Sequence, residues 1–381
     1  MRWFAAVIAF MVPVAFWQGI PAFAVAPKWA VLCLVPLLLF GRRVEMKAAH
    51  WLGLLYLAWA TVSLHWTLVL LDGYDGWIKL LLPAACFMLG SVLEDATPVF
   101  WGFALGVAVQ APLALAQQYW HWGGVDQLVY PAGLFGNKNF FGEAAALALI
   151  GIAFTKDRAW WLAAAALLAC LWVAESRAAW LALAIVGFIA YGRWTRRWRL
   201  LTELAIVVVG GGLLFLELLF PAQTAEFFQC AAMDLGERFY IWGDTFAGLT
   251  WLGRGVGSYM AAYPEHQQFL VITTRPEFAH NDFLQCIFEL GLPGAILAGC
   301  LLVCCLAFGD ARARLVFTAF LIEGFFGFPL HMPGTAFLGA FVAGCAARSG
   351  PDLRFVLARL RTVFGDGMVV ARRALHPVSR A

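Results

Sequence analysis

The sequence predicts an all-α polytopic membrane protein of about 12 transmembrane helices, with one large loop between helices 9 and 10. Three observations predict it. Of 381 residues, 63% are hydrophobic and 13% charged, against about half and about a quarter in soluble domains. The mean hydropathy is +0.79. The apolar residues fall in runs approaching the roughly 20 residues that a bilayer-crossing helix needs, and 18 Trp suit a chain with two membrane interfaces to populate. This composition excludes a disordered chain, a collagen, and a soluble enzyme built on one core.

The spans are expected near 3–22, 26–40, 48–64, 77–93, 98–119, 142–155, 159–175, 178–191, 200–220, 283–308, 314–330 and 335–347. The N-terminal run has no convincing small-residue cleavage site, so it reads as a first helix rather than a removed signal. Residues 1–347 then form one membrane domain, within which 221–282 is a cap loop on the outer face. A loop of that length is expected to carry structure of its own, with helix-compatible stretches at Thr224–Met233 and Gly236–Leu249. The basic tail, 348–381, reads either as an amphipathic helix on the anionic inner leaflet or as a solvated end that fixes orientation.

Placing both termini inside tests this layout. All but seven of the 26 basic residues then fall on cytoplasmic loops or the termini, as the positive-inside rule requires. The seven exceptions are Lys28, Lys79, Lys138, Arg177, Arg238, Arg254 and Arg275, and each needs a reason to stand where it does.

Chemistry-bearing residues concentrate on the outer side. Glu175-Ser176-Arg177 joins two apolar runs. Its Arg reads as paired with Glu175 at a helix end, or as an anion receptor whose planar guanidinium can donate two parallel hydrogen bonds. The cap loop carries Gly236-Glu237-Arg238-Phe239-Tyr240-Ile241-Trp242 and the turn Gly253-Arg254-Gly255-Val256-Gly257. With no preceding strand and no third glycine in place, that turn is not a dinucleotide fingerprint; it reads as a fold-back. Ala279-His280-Asn281-Asp282 ends the loop, and imidazole is the side chain best suited to take a proton near neutral pH. Gly133-Leu134-Phe135-Gly136-Asn137-Lys138-Asn139-Phe140-Phe141-Gly142 suits a tight turn entering a helix, whose backbone N–H groups, with Lys138 beside them, favour an anion. Lys79 can pair with Asp75 four residues earlier or face a shared cavity.

The nine cysteines follow no ligand spacing, and Cys300, Cys304 and Cys305 read as small apolar packing residues. Cys230 is the one cysteine expected to face an oxidising compartment. The sequence lacks a paired-carboxylate glycosidase pattern, a P-loop, His-Glu-x-x-His and Cys-x-x-Cys. Metal-independent chemistry with no cofactor is therefore expected, and no nucleic-acid partner.

Taken in order along the chain, these motifs resemble the O-antigen ligase and polymerase superfamily of bacterial inner membranes. The hallmark of that family is His followed by Asn, Ser or Gln, nine residues, then Gly, two residues, and Gly, Thr or Tyr; His280-Asn281 and Gly291-Leu292-Pro293-Gly294 fit it completely. The Ser176-Arg177 pair, the Arg238-to-Trp242 stretch and the Gly-Leu-Phe-Gly-Asn-Lys-Asn loop resemble the family too, over roughly residues 70 to 345. The resemblance implies a glycosyltransferase of the GT-C type at the periplasmic face, taking a glycan from undecaprenyl diphosphate to a hydroxyl of lipid A–core. It assigns the diphosphate to Arg177 and Arg238, with Lys79 a candidate for the same cavity, and the proton-accepting role to His280. Asn281, Lys138 and Asn139 are supporting candidates. A polymerase joining repeat units and a protein O-oligosaccharyltransferase share the same motifs. A transporter is the alternative of another class: it would place charges at the bilayer midplane, where Glu217 and Glu323 are the possible exceptions.

Overall fold

The computed structural model describes residues 1–20, 22–122, 131–153, 155, 160–195, 236–268 and 276–355. The expected span 200–220 with Glu217, the stretch Thr224–Met233 with Cys230, Arg275 and the tail beyond 355 lie outside the described residues. Among those described, every regular element is helical; the backbones of Lys47 and Asp352 form one isolated bridge.

The helices are α1 (Arg2–Val14), α2 (Ala26–Leu32), α3 (Val35–Leu39), α4 (Ala48–Ser63), α5 (Leu70–Val92), α6 (Thr97–Ala108), α7 (Ala111–Tyr119), α8 (Lys138–Ala153), α9 (Trp160–Ala174) and α10 (Arg177–Thr195). Residues 236–247 form α11. A short turn at Tyr259–Ala262 precedes α12 (Asp282–Phe308), α13 (Ala311–Phe326) and α14 (Pro333–Arg348). Three stretches are long and apolar enough to cross a membrane: Leu70–Val92, Thr97–Tyr119 and Asp282–Phe308. Shorter apolar helices stand at Arg2–Val14, Ala26–Leu39, Trp160–Ala174 and Arg177–Gly192.

Packing follows the small residues. Helix α6 lies on α1 so closely that a side chain on Gly102 or Gly106 would meet the carbonyl oxygens of Ala6 and Phe10 at 2.2 and 2.5 Å. Helix α5 lies on α14 the same way, through Gly90 and Gly344. Between lipid-facing helices there is little hydrophobic drive to associate, so close backbone approach supplies van der Waals contact instead. The core runs through Phe100, Phe103, Phe141, Phe337 and Phe341, all buried.

Two boundaries differ from the sequence reading. Helix α5 begins at Leu70, not near residue 77, because Gly73 and Gly76 serve close approach rather than a loop. A Cβ on Gly76 would lie 2.8 Å from Gly257 Cα. Helix α1 ends at Val14, one residue past Pro13, because a proline deprives the helix of a donor and crowds the preceding turn.

Candidate active site

The motif around His280 is a piece of backbone engineering. Asn281 caps α12, its Oδ1 accepting the Leu284 N–H at 2.9 Å, and Asp282 places a carboxylate in the first turn, where the helix dipole favours it. His280 itself is left-handed, at φ 52°, a costly conformation for a residue with a side chain. Its neighbours hold it there. The Trp242 indole N–H donates to the Ala279 carbonyl at 2.9 Å, and the Ala279 N–H donates to Gln285 Oε1 at 3.1 Å. The imidazole stands edge-on to Phe328, ring centroids 5.0 Å apart. Burial first, and then the nearby Arg238 guanidinium, push its pKa down to about 4, so at neutral pH the ring carries a lone pair rather than a charge.

The two motif glycines explain the spacing that follows. Gly291 has φ 65° and breaks α12 into two segments. Pro293 has no N–H, and the Leu292 N–H turns away to the Trp251 carbonyl at 3.0 Å. The carbonyls of Phe288 and Glu289 are thereby released, and the N–H groups of Arg254 and Gly255 take them at 2.9 and 2.8 Å. Gly253 and Gly291 meet backbone to backbone, since a Cβ on Gly291 would lie 2.4 Å from the Gly253 nitrogen. Glu289 completes the joint by accepting the Gly257 N–H at 2.9 Å and the Tyr259 N–H at 3.3 Å. The Gly253–Gly257 turn thus folds back onto the broken motif helix. Below it, Ile241, Tyr259, Tyr263, Ala279 and Phe288 form a small core of their own. The buried Asp244 there accepts the Tyr263 hydroxyl at 2.8 Å and the Gln268 N–H at 2.9 Å.

The remaining sequence candidates divide. Arg238 on α11 donates to the Phe326 carbonyl at the end of α13. Arg177 is half-buried and opens α10. Glu175, left-handed at φ 51°, pairs with Lys138 at 3.2 Å, while buried Ser176 sits against Gly142, where a Cβ would meet its own at 2.6 Å. The α9–α10 turn therefore docks on the start of α8, where Asn137 Oδ1 accepts the Asn139 N–H at 2.9 Å. One residue on, Phe140 meets Phe328 edge-on at 5.1 Å. The ring of Phe328 thus touches both the α8 start and His280, and Trp242 packs on Phe325. The segment 325–332 ties Lys138, Asn139, Arg238, His280 and Asn281 to one region. Lys79 stands elsewhere: it pairs with Asp75 at 2.5 Å and lines a separate polar cavity.

Other exceptions to the charge rule have structural reasons. Lys28 is buried and donates to the carbonyls of Ala15 and Leu134 at 2.7 Å each, with Phe135 beneath it. Arg254 donates to the Gly248 carbonyl at 3.1 Å and meets His266 Nε2 at 2.7 Å.

Sequence reasoning missed several residues. His331 meets Asp282 Oδ1 through Nδ1 at 2.9 Å. Glu143 is buried, as is Glu323, which the sequence singles out; among the described residues three of their carboxylate oxygens lack a hydrogen-bond partner. Gln110 and Gln117 hold the Ala132–Leu134 turn through its N–H groups. The available signal was a polar residue inside an apolar run, and for His331 its place between Pro329 and Pro333. Among the described residues, no three His, Cys, Asp or Glu side chains gather as a metal site.

An apolar cavity of about 360 Å³ lies between α4, α5, α12, α13 and α14, lined by Leu54, Leu57, Phe87, Leu302 and Phe317 among others. It shares Tyr56, Leu80, Asp282, Cys286 and Leu330 with the polar cavity of about 260 Å³ that holds Lys79.

Residues 162–299 match the family model described as O-antigen ligase. The matched segment takes in Arg177, Arg238 and the whole His280–Gly294 motif. A search of curated proteins finds no match.

Proposed function

From the premise of an O-antigen ligase domain at residues 162–299, we propose that this protein is a membrane glycosyltransferase that moves a glycan from undecaprenyl diphosphate to a hydroxyl of lipid A–core. The reaction runs at the periplasmic face of the bacterial inner membrane, without a metal. The observation that carries the proposal is His280: a neutral imidazole held in left-handed backbone, beside a guanidinium.

In the proposed step, the acceptor hydroxyl gives its proton to His280 as its oxygen attacks the anomeric carbon. The bond from that carbon to the phosphate oxygen breaks, and its electron pair leaves with the diphosphate. Arg177 and Arg238 bind that group, and their charge acts most strongly as negative charge develops on it. A diphosphate near Arg238 also offsets one of the two causes that depress the His280 pKa, so donor binding raises the basicity of the proton acceptor. Lys138, Asn139 and Asn281 support this centre, and the apolar cavity is shaped for a lipid chain. Lys79, paired with Asp75 in the polar cavity, takes no part in holding the donor in this scheme.

The test supplies purified protein with lipid-linked glycan and, in separate reactions, lipid A–core, a pilin, or neither. Glycosylated lipid A–core is the expected product. A glycosylated pilin identifies a protein O-oligosaccharyltransferase, and elongated carrier-linked glycan a polymerase. No transfer in any arm overturns the proposal. One observation favours a transporter as the second reading: the unpartnered carboxylate oxygens of Glu143 and Glu323. Solute flux in proteoliposomes that is abolished by Glu323→Gln would favour it.

A further inference from the structure

The polar cavity beside α5 is not chemically equivalent to the centre around His280. Among the described residues its lining has five carboxylates, those of Asp72, Asp75, Glu277, Asp282 and Glu289, against one lysine. That lysine is already engaged by Asp75 at 2.5 Å. A diphosphate entering here would meet like charge on most sides, which is strongly unfavourable in a partly dehydrated space.

The same walls suit a neutral polyol. Carboxylates accept hydrogen bonds from hydroxyls, while the Tyr56 hydroxyl and the Lys79 ammonium donate to them. Phe278 adds aromatic surface for the C–H face of a sugar ring. The floor is preorganised. Gln285 is oriented by accepting the Ala279 N–H through Oε1, so its amide donates to Glu289 Oε1 at 3.1 Å and faces His331 Nε2 at 3.3 Å. His331 Nδ1–H then donates to Asp282 Oδ1, whose other oxygen accepts the Leu330 N–H at 2.9 Å. Floor residues Gln285 and Glu289 are buried, whereas Asp72, Asp75, Met260 and Glu277 at the rim are exposed, so the cavity is accessible from outside. At about 260 Å³ it has room for a monosaccharide unit.

Its position relates it to the reaction. Phe278 and Asp282 line it and flank His280 in the chain. Phe278 stacks on Phe328 at 4.4 Å, the ring against which the His280 imidazole stands. We propose that this cavity binds a neutral sugar ring, the one carrying the accepting hydroxyl, and that the His331–Asp282 pair and Glu277 position it, while the anionic leaving group stays on the arginine side. The assignment of this sugar as the acceptor rests on the transferase reading; the preference for a neutral saccharide rests on the cavity alone.

The experiment uses the full chain in lipid nanodiscs and two probes, methyl α-D-glucopyranoside and glucose 6-phosphate, followed by saturation-transfer NMR. Transfer to the glycoside and not to the sugar phosphate is expected. Glu277→Gln and Asp72→Asn, both at exposed positions, weaken glycoside binding by about tenfold, the scale of a lost hydrogen bond; Arg238→Ala leaves it unchanged. In the transfer assay the same two variants raise the KM for acceptor and leave the KM for donor as it was, a split that a merely structural role would not produce. Equal or better binding of glucose 6-phosphate, or glycoside binding unaffected in both variants, overturns the inference. Glycoside binding by a protein that transfers no glycan would instead sink the transferase reading and leave the sugar site standing.

Discussion

Two regions of the molecule use charge in opposite ways. On the far side of the Phe328 ring, Arg238 lies on a backbone carbonyl, Lys138 on an exposed Glu175, and the imidazole that meets the ring is held neutral. In the polar cavity beside α5, carboxylates dominate, and the single lysine is neutralised by its i,i+4 neighbour. The regions are separated by little more than the Phe278–Phe328 stack. The contrast teaches that a cation against the positive-inside rule is not in itself an anion site; the groups around it decide.

Breaking the cationic region should have the largest effect. His280→Ala is expected to lower glycan transfer by about 10²–10⁴-fold, the usual worth of a positioned base, with size-exclusion behaviour unchanged. Transfer at the wild-type rate would remove His280 from the chemistry. Arg238→Ala and Arg177→Ala should each cost on the order of 10²–10³ in kcat, read from initial rates with saturating acceptor.

The joint between the regions comes next. Gly291→Ala puts a Cβ 2.4 Å from the Gly253 nitrogen at a positive φ, so a loss of about 1–3 kcal/mol is expected from overpacking and strain. It should appear as a lower Tm in detergent. Gly253→Ala strikes the same contact, so the double variant should lose less than the sum; strict additivity would deny that the two glycines share one joint.

A pH profile sharpens the comparison. Because the folded His280 is depressed to about 4 from an ordinary 6.5, the neutral form required of a base persists as pH falls, and kcat/KM should hold until the pH approaches 4. In the donor complex the anion on Arg238 raises that pKa, so the acid limb of kcat should lie at higher pH than that of kcat/KM. Coincident limbs would show that donor binding leaves the imidazole untouched.

The smallest effect is expected at Lys79. Its partner is four residues away on an accessible helix face, a kind of pair worth about 0.3–0.5 kcal/mol, and Lys79→Ala should reduce transfer less than about tenfold. A loss as large as that of Arg238→Ala would move the donor across the wall.

Much of this was legible in the sequence because it is local. The helical class follows from apolar runs, and the His280–Gly294 spacing encodes a cap, a break and a close approach along one stretch of chain. The boundary of α5 was not legible, because Gly73 and Gly76 read as turn residues until Gly257 is seen lying against them. His331 and Glu143 escaped for the same kind of reason: their meaning depends on Asp282 and on the α13 end, which only tertiary contact supplies. The sorting of the basic exceptions was half legible. The sequence isolates Lys28 as misplaced, but not the two carbonyls that hold it.

The backbone exchange at Gly291 also sets an order of assembly. Residues 254 and 255 leave the ribosome before the carbonyls of 288 and 289 that they will bond. The fold-back turn therefore cannot reach its final form until α12 has been made and has broken at Gly291. Closing that gap of some thirty residues costs chain entropy, a cost that rises only slowly with loop length. One residue added within α12 between 282 and 291 would turn the His280 end of the helix by about 100° relative to the break at Gly291. The Gly253–Gly257 turn thus waits on the synthesis of α12 for its backbone partners.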